Sequence, residues 1–219
     1  MKRNNYQNIQ QKKQQNILHI HGFNSSPLSL KAEQTRQYFL ENFPEVNFVC
    51  PQLATSPNEA ILQLEGILES STSSESSNNE SWFLIGSSLG GYFANYLANK
   101  YQLHAVLINP AIKPFTLLED YIGEQVNTYT NTVYQVTAQH MLDLKAIEQS
   151  APIFDDQQKN NYLVMVQTGD EVLDYQQAVD KFQHCRLIKE QGGDHSFIGF
   201  DKKLPIIADF FQLKAKFQI

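Results

Sequence analysis

Cysteine is scarce in this chain: there are two, Cys50 and Cys185, among 219 residues. No C-x-x-C pair occurs, and no Cys/His spacing suggests zinc. Both cysteines sit in apolar runs, which predicts two buried free thiols in a reducing cytoplasm. Charge is sparse too, at 18 % of residues, and the balance is acidic, with a net charge of −6. Nucleic acids and anionic membranes want basic surfaces, so neither is expected as the main partner. Long apolar runs are absent: no window approaches the roughly 20 residues of a membrane span. Residues 1–15 are rich in Gln, Asn and Lys and lack the apolar stretch of a signal peptide. The expectation is a soluble cytoplasmic protein with a flexible tail at 1–15 and one domain at 16–219. The sequence carries no signal for oligomeric state.

What the chain does have is alternation. Short apolar runs lie at Asn16 to His21, Asn47 to Cys50, Trp82 to Gly86, Ala105 to Asn109, Tyr162 to Gln167 and Cys185 to Lys189. Several are apolar nearly throughout, as strands buried on both faces of a parallel sheet are. Between them, Leu30 to Phe43, Asn58 to Glu69, Leu89 to Tyr101, Tyr175 to Phe182 and Leu204 to Phe211 repeat apolar residues at helical spacing. This predicts an α/β fold, with a mostly parallel sheet of about six strands and helices on both faces. The serine-rich stretch from Ser70 to Ser81 cannot bury anything and reads as a surface loop. Residues 112–160, longer than an ordinary crossover, read as a small lid-like insertion with a short helix at His140 to Ile147.

The strongest motif is Gly86-Ser87-Ser88-Leu89-Gly90, directly after one predicted strand and before a helix. In this G-x-S-x-G context a tight strand-to-helix turn exposes a nucleophilic serine. Glycines two residues either side relieve crowding, and the helix N-terminus faces the developing oxyanion. Ser88 is therefore the candidate nucleophile; Ser87 sits one place off centre. A serine hydroxyl needs a base, and the base an orienting acid. In the α/β-hydrolase fold these follow in the order Ser, acid, His. Asp170 lies just after the Tyr162 to Gln167 strand, and Glu171 and Asp174 share its loop. His195 follows the last predicted strand, between glycines and the last helix. Of the other histidines, His19 and His104 lie in or at the start of strands. His184 is at the wrong end of the sheet, His140 is in the insertion, and His21 is in the first loop.

An oxyanion hole needs two N–H groups. Leu89 supplies the first, and Phe23, in His21-Gly22-Phe23-Asn24 after the first strand, is the candidate for the second. Gly22, Asn24 and Phe115 are the candidate substrate-binding residues. For Phe115, Leu117 and Leu118, lining an acyl pocket competes with packing on the sheet.

At these residues the chain resembles a known family. HGFNSSPLSLKA, GSSLGGYFANYLA, NPAIKPFTLLEDYIGE, QTGDEVLDYQQAV and GGDHSFIGF, in that order, resemble the YqiA-like family of small bacterial α/β-hydrolase esterases. The likeness runs from about Asn16 to Leu213. It implies an esterase acting on short- to medium-chain acyl esters, or acyl thioesters, through Ser88, Asp170 and His195. It implies no metal and no organic cofactor. A thioesterase on the same residues is the nearest alternative. A non-catalytic hydrolase-like binding protein, or a phosphate binder using the glycine-rich turn, is more remote.

Overall fold

The computed structural model describes residues 13–70, 80–150 and 156–214. Its elements are β1 (Gln14–Ile20), α1 (Leu30–Asn42), β2 (Asn47–Val49), α2 (Pro57–Ser70), β3 (Glu80–Ser87) and α3 (Leu89–Tyr101). Then come β4 (His104–Ile108), α4 (Pro114–Leu117), β5 (Gly123–Asn127), β6 (Thr132–Val136) and α5 (Ala138–Ser150). The chain ends in β7 (Tyr162–Gln167), α6 (Tyr175–Lys181), β8 (Arg186–Glu190) and α7 (Leu204–Phe210).

Six strands form one parallel sheet in the order β2-β1-β3-β4-β7-β8. Strand residues alternate between two cores. Leu18, Leu84, Leu107 and Val164 pack with α2, α3, α5 and α6 on one face. Ile17, Ile85, Val106 and Met165 pack with α1 and α7 on the other. The chain runs outward from β1 to β2, then returns to β3 on the other side of β1. That reversal opens a crevice at the carboxyl ends of β1 and β3, where open α/β sheets hold their ligands. No helix among the described residues is long and apolar enough to cross a membrane.

Three details differ from the sequence reading. Gln14 and Gln15 belong to β1 and not to a tail, because their backbones pair with Glu80 and Ser81 of β3. Pairing at a sheet's polar end needs no apolar side chain. Both cysteines are free, yet each is only half-buried. The insertion contains an antiparallel hairpin, β5–β6, which the sequence reading of a small lid-like insertion did not include. Its Val126 and Val133 lie outward and exposed, so no apolar face marks it in the sequence. Residues 1–12 and 71–79, most of the expected tail and serine-rich loop, fall outside the described residues.

Candidate active site

The turn between β3 and α3 shows why its residues are small. A Cβ on Gly90 would stand 2.0 Å from the Ile20 carbonyl oxygen, and one on Gly86 2.3 Å from that of Gly90. Neither position admits a side chain without moving backbone. Ser88 between them has φ 56° and ψ −122°, a conformation that costs a non-glycine residue about 1–3 kcal/mol. Its carbonyl accepts from the N–H groups of Gly91, Tyr92 and Ala111, and its own N–H donates to Ile108 O at 3.1 Å. The strained residue is thus anchored from β4 as well as from α3.

The three residues singled out from sequence meet in one line. His195 Nε2 is 3.0 Å from Ser88 Oγ. His195 Nδ1 is 2.8 Å from Asp170 Oδ2. The Asp170 side chain is 1 % exposed and that of His195 24 %, so the acid is shielded while the ring reaches the surface. Burial alone would raise the Asp170 pKa. The His195 hydrogen bond and the N–H groups of Leu173 and Val172 outweigh it and hold the carboxyl below its usual range. The neighbouring acids do other work. Asp174 accepts the Gln176 N–H at the start of α6, and Glu171 accepts the His195 backbone N–H at 3.0 Å.

The loop after β1 closes on the serine. A Cβ at Gly22 would lie 3.2 Å from Ser88 Cβ, so only glycine lets the backbone come this near without crowding it. Leu53 N–H donates to His21 Nε2 at 3.2 Å. The His21 proton therefore sits on Nδ1 and is donated to Gly22 O at 3.0 Å. In a trans peptide the N–H points opposite to the C=O, so the Phe23 N–H is turned away from His21. Among the described residues neither Phe23 N–H nor Leu89 N–H has a protein acceptor. Asn24, at φ 50°, accepts Tyr134 Oη at 2.6 Å, and Ser25 O accepts from Asn127. The β5–β6 hairpin thus braces this loop.

Phe115 stands elsewhere than the sequence reading put it. It packs against the apolar core under α2, α3 and α5, with Lys145 Nζ 5.3 Å above its ring. It lines neither of the two hollows beside Ser88. Leu118 is buried in the same core.

Two residues that sequence reasoning passed over hold the His195 loop. Asn109, at the end of β4, donates to the carbonyls of Asp194 (3.0 Å) and His195 (3.3 Å) and accepts Gln167 N–H at 3.0 Å. Gln167, the last residue of β7, accepts the N–H groups of Asp194 (3.1 Å) and Ile198 (2.9 Å). It donates to Ile198 O at 2.8 Å. Both side chains are buried. A polar amide ending an apolar strand was the one signal the sequence offered.

The chain matches the model of the uncharacterised protein family UPF0227, the YqiA family, over residues 16–212. It belongs to that family. The architecture of this YqiA-family chain is also that of solved α/β-hydrolases. Est1E from Butyrivibrio proteoclasticus aligns with TM-score 0.67 at 12 % identity, covering 94 % of this chain and 89 % of that one. Alpha/beta hydrolase domain-containing protein 10 from mouse aligns with TM-score 0.67 at 14 % identity, covering 92 % and 91 %. XC6422 from Xanthomonas campestris, described as an a/b serine hydrolase without lid, gives TM-score 0.60 at 13 % identity over 91 % and 83 %. At such identities the likeness is one of fold.

Proposed function

We propose that this chain is a serine esterase that cleaves short- to medium-chain carboxylic esters through an acyl-enzyme. The observation that carries the reading is the unbroken hydrogen-bonded line Ser88–His195–Asp170, at 3.0 and 2.8 Å. It lies at the mouth of the sheet crevice beside two unmatched N–H groups. Ser88 Oγ attacks the ester carbonyl as His195 Nε2 takes its proton. Asp170, ionised by its N–H contacts, keeps the other ring proton on Nδ1 and stabilises the imidazolium. The N–H groups of Phe23 and Leu89 hold the oxyanion. His195 then protonates the leaving alcohol, and water, activated by the same base, releases the acid.

The acyl group fits the hollow nearest the oxyanion donors. Phe23, Leu53, Ala54, Leu89 and Phe93 line it, and it offers about 50 Å³. So small a space, with polar residues such as Asn24, Gln52 and Asn127 also in its wall, suits a short chain better than a long one. We place the protein in the cytoplasm, where free Cys50 and Cys185 stay reduced.

The test is hydrolysis of p-nitrophenyl acetate, butyrate and octanoate by wild type and Ser88→Ala, with fluorophosphonate labelling of each. Turnover and labelling in wild type alone are expected. Labelling that persists in Ser88→Ala, or a wild type that neither labels nor hydrolyses, overturns the proposal. Matched acyl-CoA substrates decide whether thioesters are preferred over esters.

A further inference from the structure

A second and larger hollow adjoins the same histidine. It offers about 480 Å³ and is lined by His19, His21, Ser29, Lys31, Gln34 and the chain from His195 to Asp201, among others. We propose that this cavity receives the leaving group of the ester, and that the leaving group it is built for carries an anion, a carboxylate or a phosphate. The inference rests on the esterase reading above and narrows its substrate class.

The direction of proton transfer assigns the side. His195 Nε2 takes the serine proton and must return it to the departing oxygen. The leaving group therefore lies against His195, which lines this cavity and not the small hollow. In the step itself the acyl–oxygen bond breaks, Ser88 Oγ keeps the acyl group, and the His195 proton ends on the alcohol. The anion takes no part beyond binding.

Two features converge on negative charge. First, Lys31 Nζ spends one hydrogen bond on Ser196 O at 2.9 Å. Among the described residues no carboxylate lies within ion-pair distance of it. Two of its three donors remain. Second, α1 begins at the cavity wall, and Ser29 at its N-cap makes no side-chain capping bond. The positive end of the helix dipole meets one acid of its own, Glu33 in the first turn, and otherwise faces the cavity.

His19 forms part of the wall at 1 % exposure, but its Nε2 is sealed from accessible space, so the ring shapes the cavity and does not contact what fills it. Burial lowers the Lys31 pKa, and the charges of Asp194 and Asp170 act against that; Asp201, the acid among the lining residues, lies exposed at the rim.

The experiment compares kcat/KM for matched butyryl esters on the full chain. One pair is butyryl glycolate and butyryl glycolamide, identical but for charge. The other is the butyryl ester of 2-hydroxyethyl phosphate against that of ethylene glycol. Wild type is expected to favour the anion in at least one pair by about tenfold, chiefly through KM. Lys31→Gln should lose that preference and Lys31→Arg retain it. A second measurement needs no variant: free 2-hydroxyethyl phosphate or glycolate should inhibit wild type competitively at lower concentration than ethylene glycol does. The proposal fails if wild type shows no anion preference in either pair, if Lys31→Gln keeps the preference, or if the three alcohols inhibit alike. Hydrolysis of all four esters at similar rates sinks this assignment and leaves the esterase reading standing. No hydrolysis, with no labelling of Ser88, sinks both.

Discussion

The β3–α3 turn and the loop after β8 deliver the two partners of one proton transfer, and they are held by opposite means. The turn is fixed by exclusion: backbone from β1, β3 and α3 approaches so closely that Gly86 and Gly90 have no room for a Cβ. The loop is fixed by attraction, through the buried amides of Asn109 and Gln167. A steric hold is rigid and fails abruptly. A hydrogen-bonded hold is graded, since each bond contributes only about 1 kcal/mol net. Nucleophile and base should therefore respond differently to damage of equal chemical size.

The largest effects test the two ends directly. Ser88→Ala and His195→Ala should each lower kcat by roughly 10⁴ to 10⁶ with little change in thermal melting, and the double variant should be hardly worse than either. Asp170→Asn should cost about 10³ to 10⁴. If the two single losses multiplied in the double variant, turn and loop would not serve one step. Next in size is Gly90→Ala. Its new methyl would meet the Ile20 carbonyl at 2.0 Å, so backbone of β1 or α3 must shift. A loss of about 3 kcal/mol or more, or failure to fold, is expected in urea unfolding. A Gly90→Ala protein as stable as wild type would show that the turn is not sterically held.

The loop should yield by degrees. Asn109→Ala and Gln167→Ala each leave backbone groups of the Asp194 to Ile198 segment without partners, at about 1–3 kcal/mol of stability apiece. The same slackening of His195 should lower kcat by roughly 10- to 100-fold with KM nearly unchanged. Steady-state kinetics on a short-chain ester reads both numbers. A fall in stability with unchanged kcat would make these amides ordinary core residues.

This contrast also explains what the sequence made legible. The serine turn is local: strand, glycines and helix are contiguous, so Gly86 to Gly90 reads as one motif. The order of Ser88, Asp170 and His195 then followed from which strand ends bear an acid and a histidine. Asn109 and Gln167 act across 85 and 27 residues of chain, and nothing in their own neighbourhoods distinguishes them from other polar strand ends. The β5–β6 hairpin escaped notice for a related reason. Its contribution is hydrogen bonding from Tyr134 and Asn127 to the loop at Asn24 and Ser25, which leaves no hydrophobic period. Phe115 was misplaced because an apolar residue near a predicted site looks the same whether it lines a pocket or packs on a helix.

Acid should separate the two holds again. The Asp170 carboxyl titrates below its ordinary range in the fold. A group depressed in this way contributes stability above its unfolded pKa of about 3.9 and loses it as pH falls through the folded value. The contribution is thus constant from pH 7 to about 5 and fades below about 4. Urea midpoints of wild type and Asp170→Asn should differ by a fixed amount at neutral pH and draw together as pH falls below about 4. A gap that persists unchanged in acid would mean that the ionised carboxylate does not hold the His195 loop.

The smallest effect is the most specific to the turn. Ser88 holds φ 56°, where glycine is at ease and L-residues are strained. Ser88→Gly removes the nucleophile and the strain together, while Ser88→Ala removes only the nucleophile. Glycine also gains entropy in the unfolded chain, which offsets part of the relief. The net expectation is that Ser88→Gly melts above Ser88→Ala by about 1 kcal/mol, or some 2–4 °C for a chain of this size. A calorimetric comparison of these two inactive variants isolates backbone strain from catalysis. If Ser88→Gly melts lower, the conformation at residue 88 costs the fold nothing, and the turn's rigidity rests on the glycines alone.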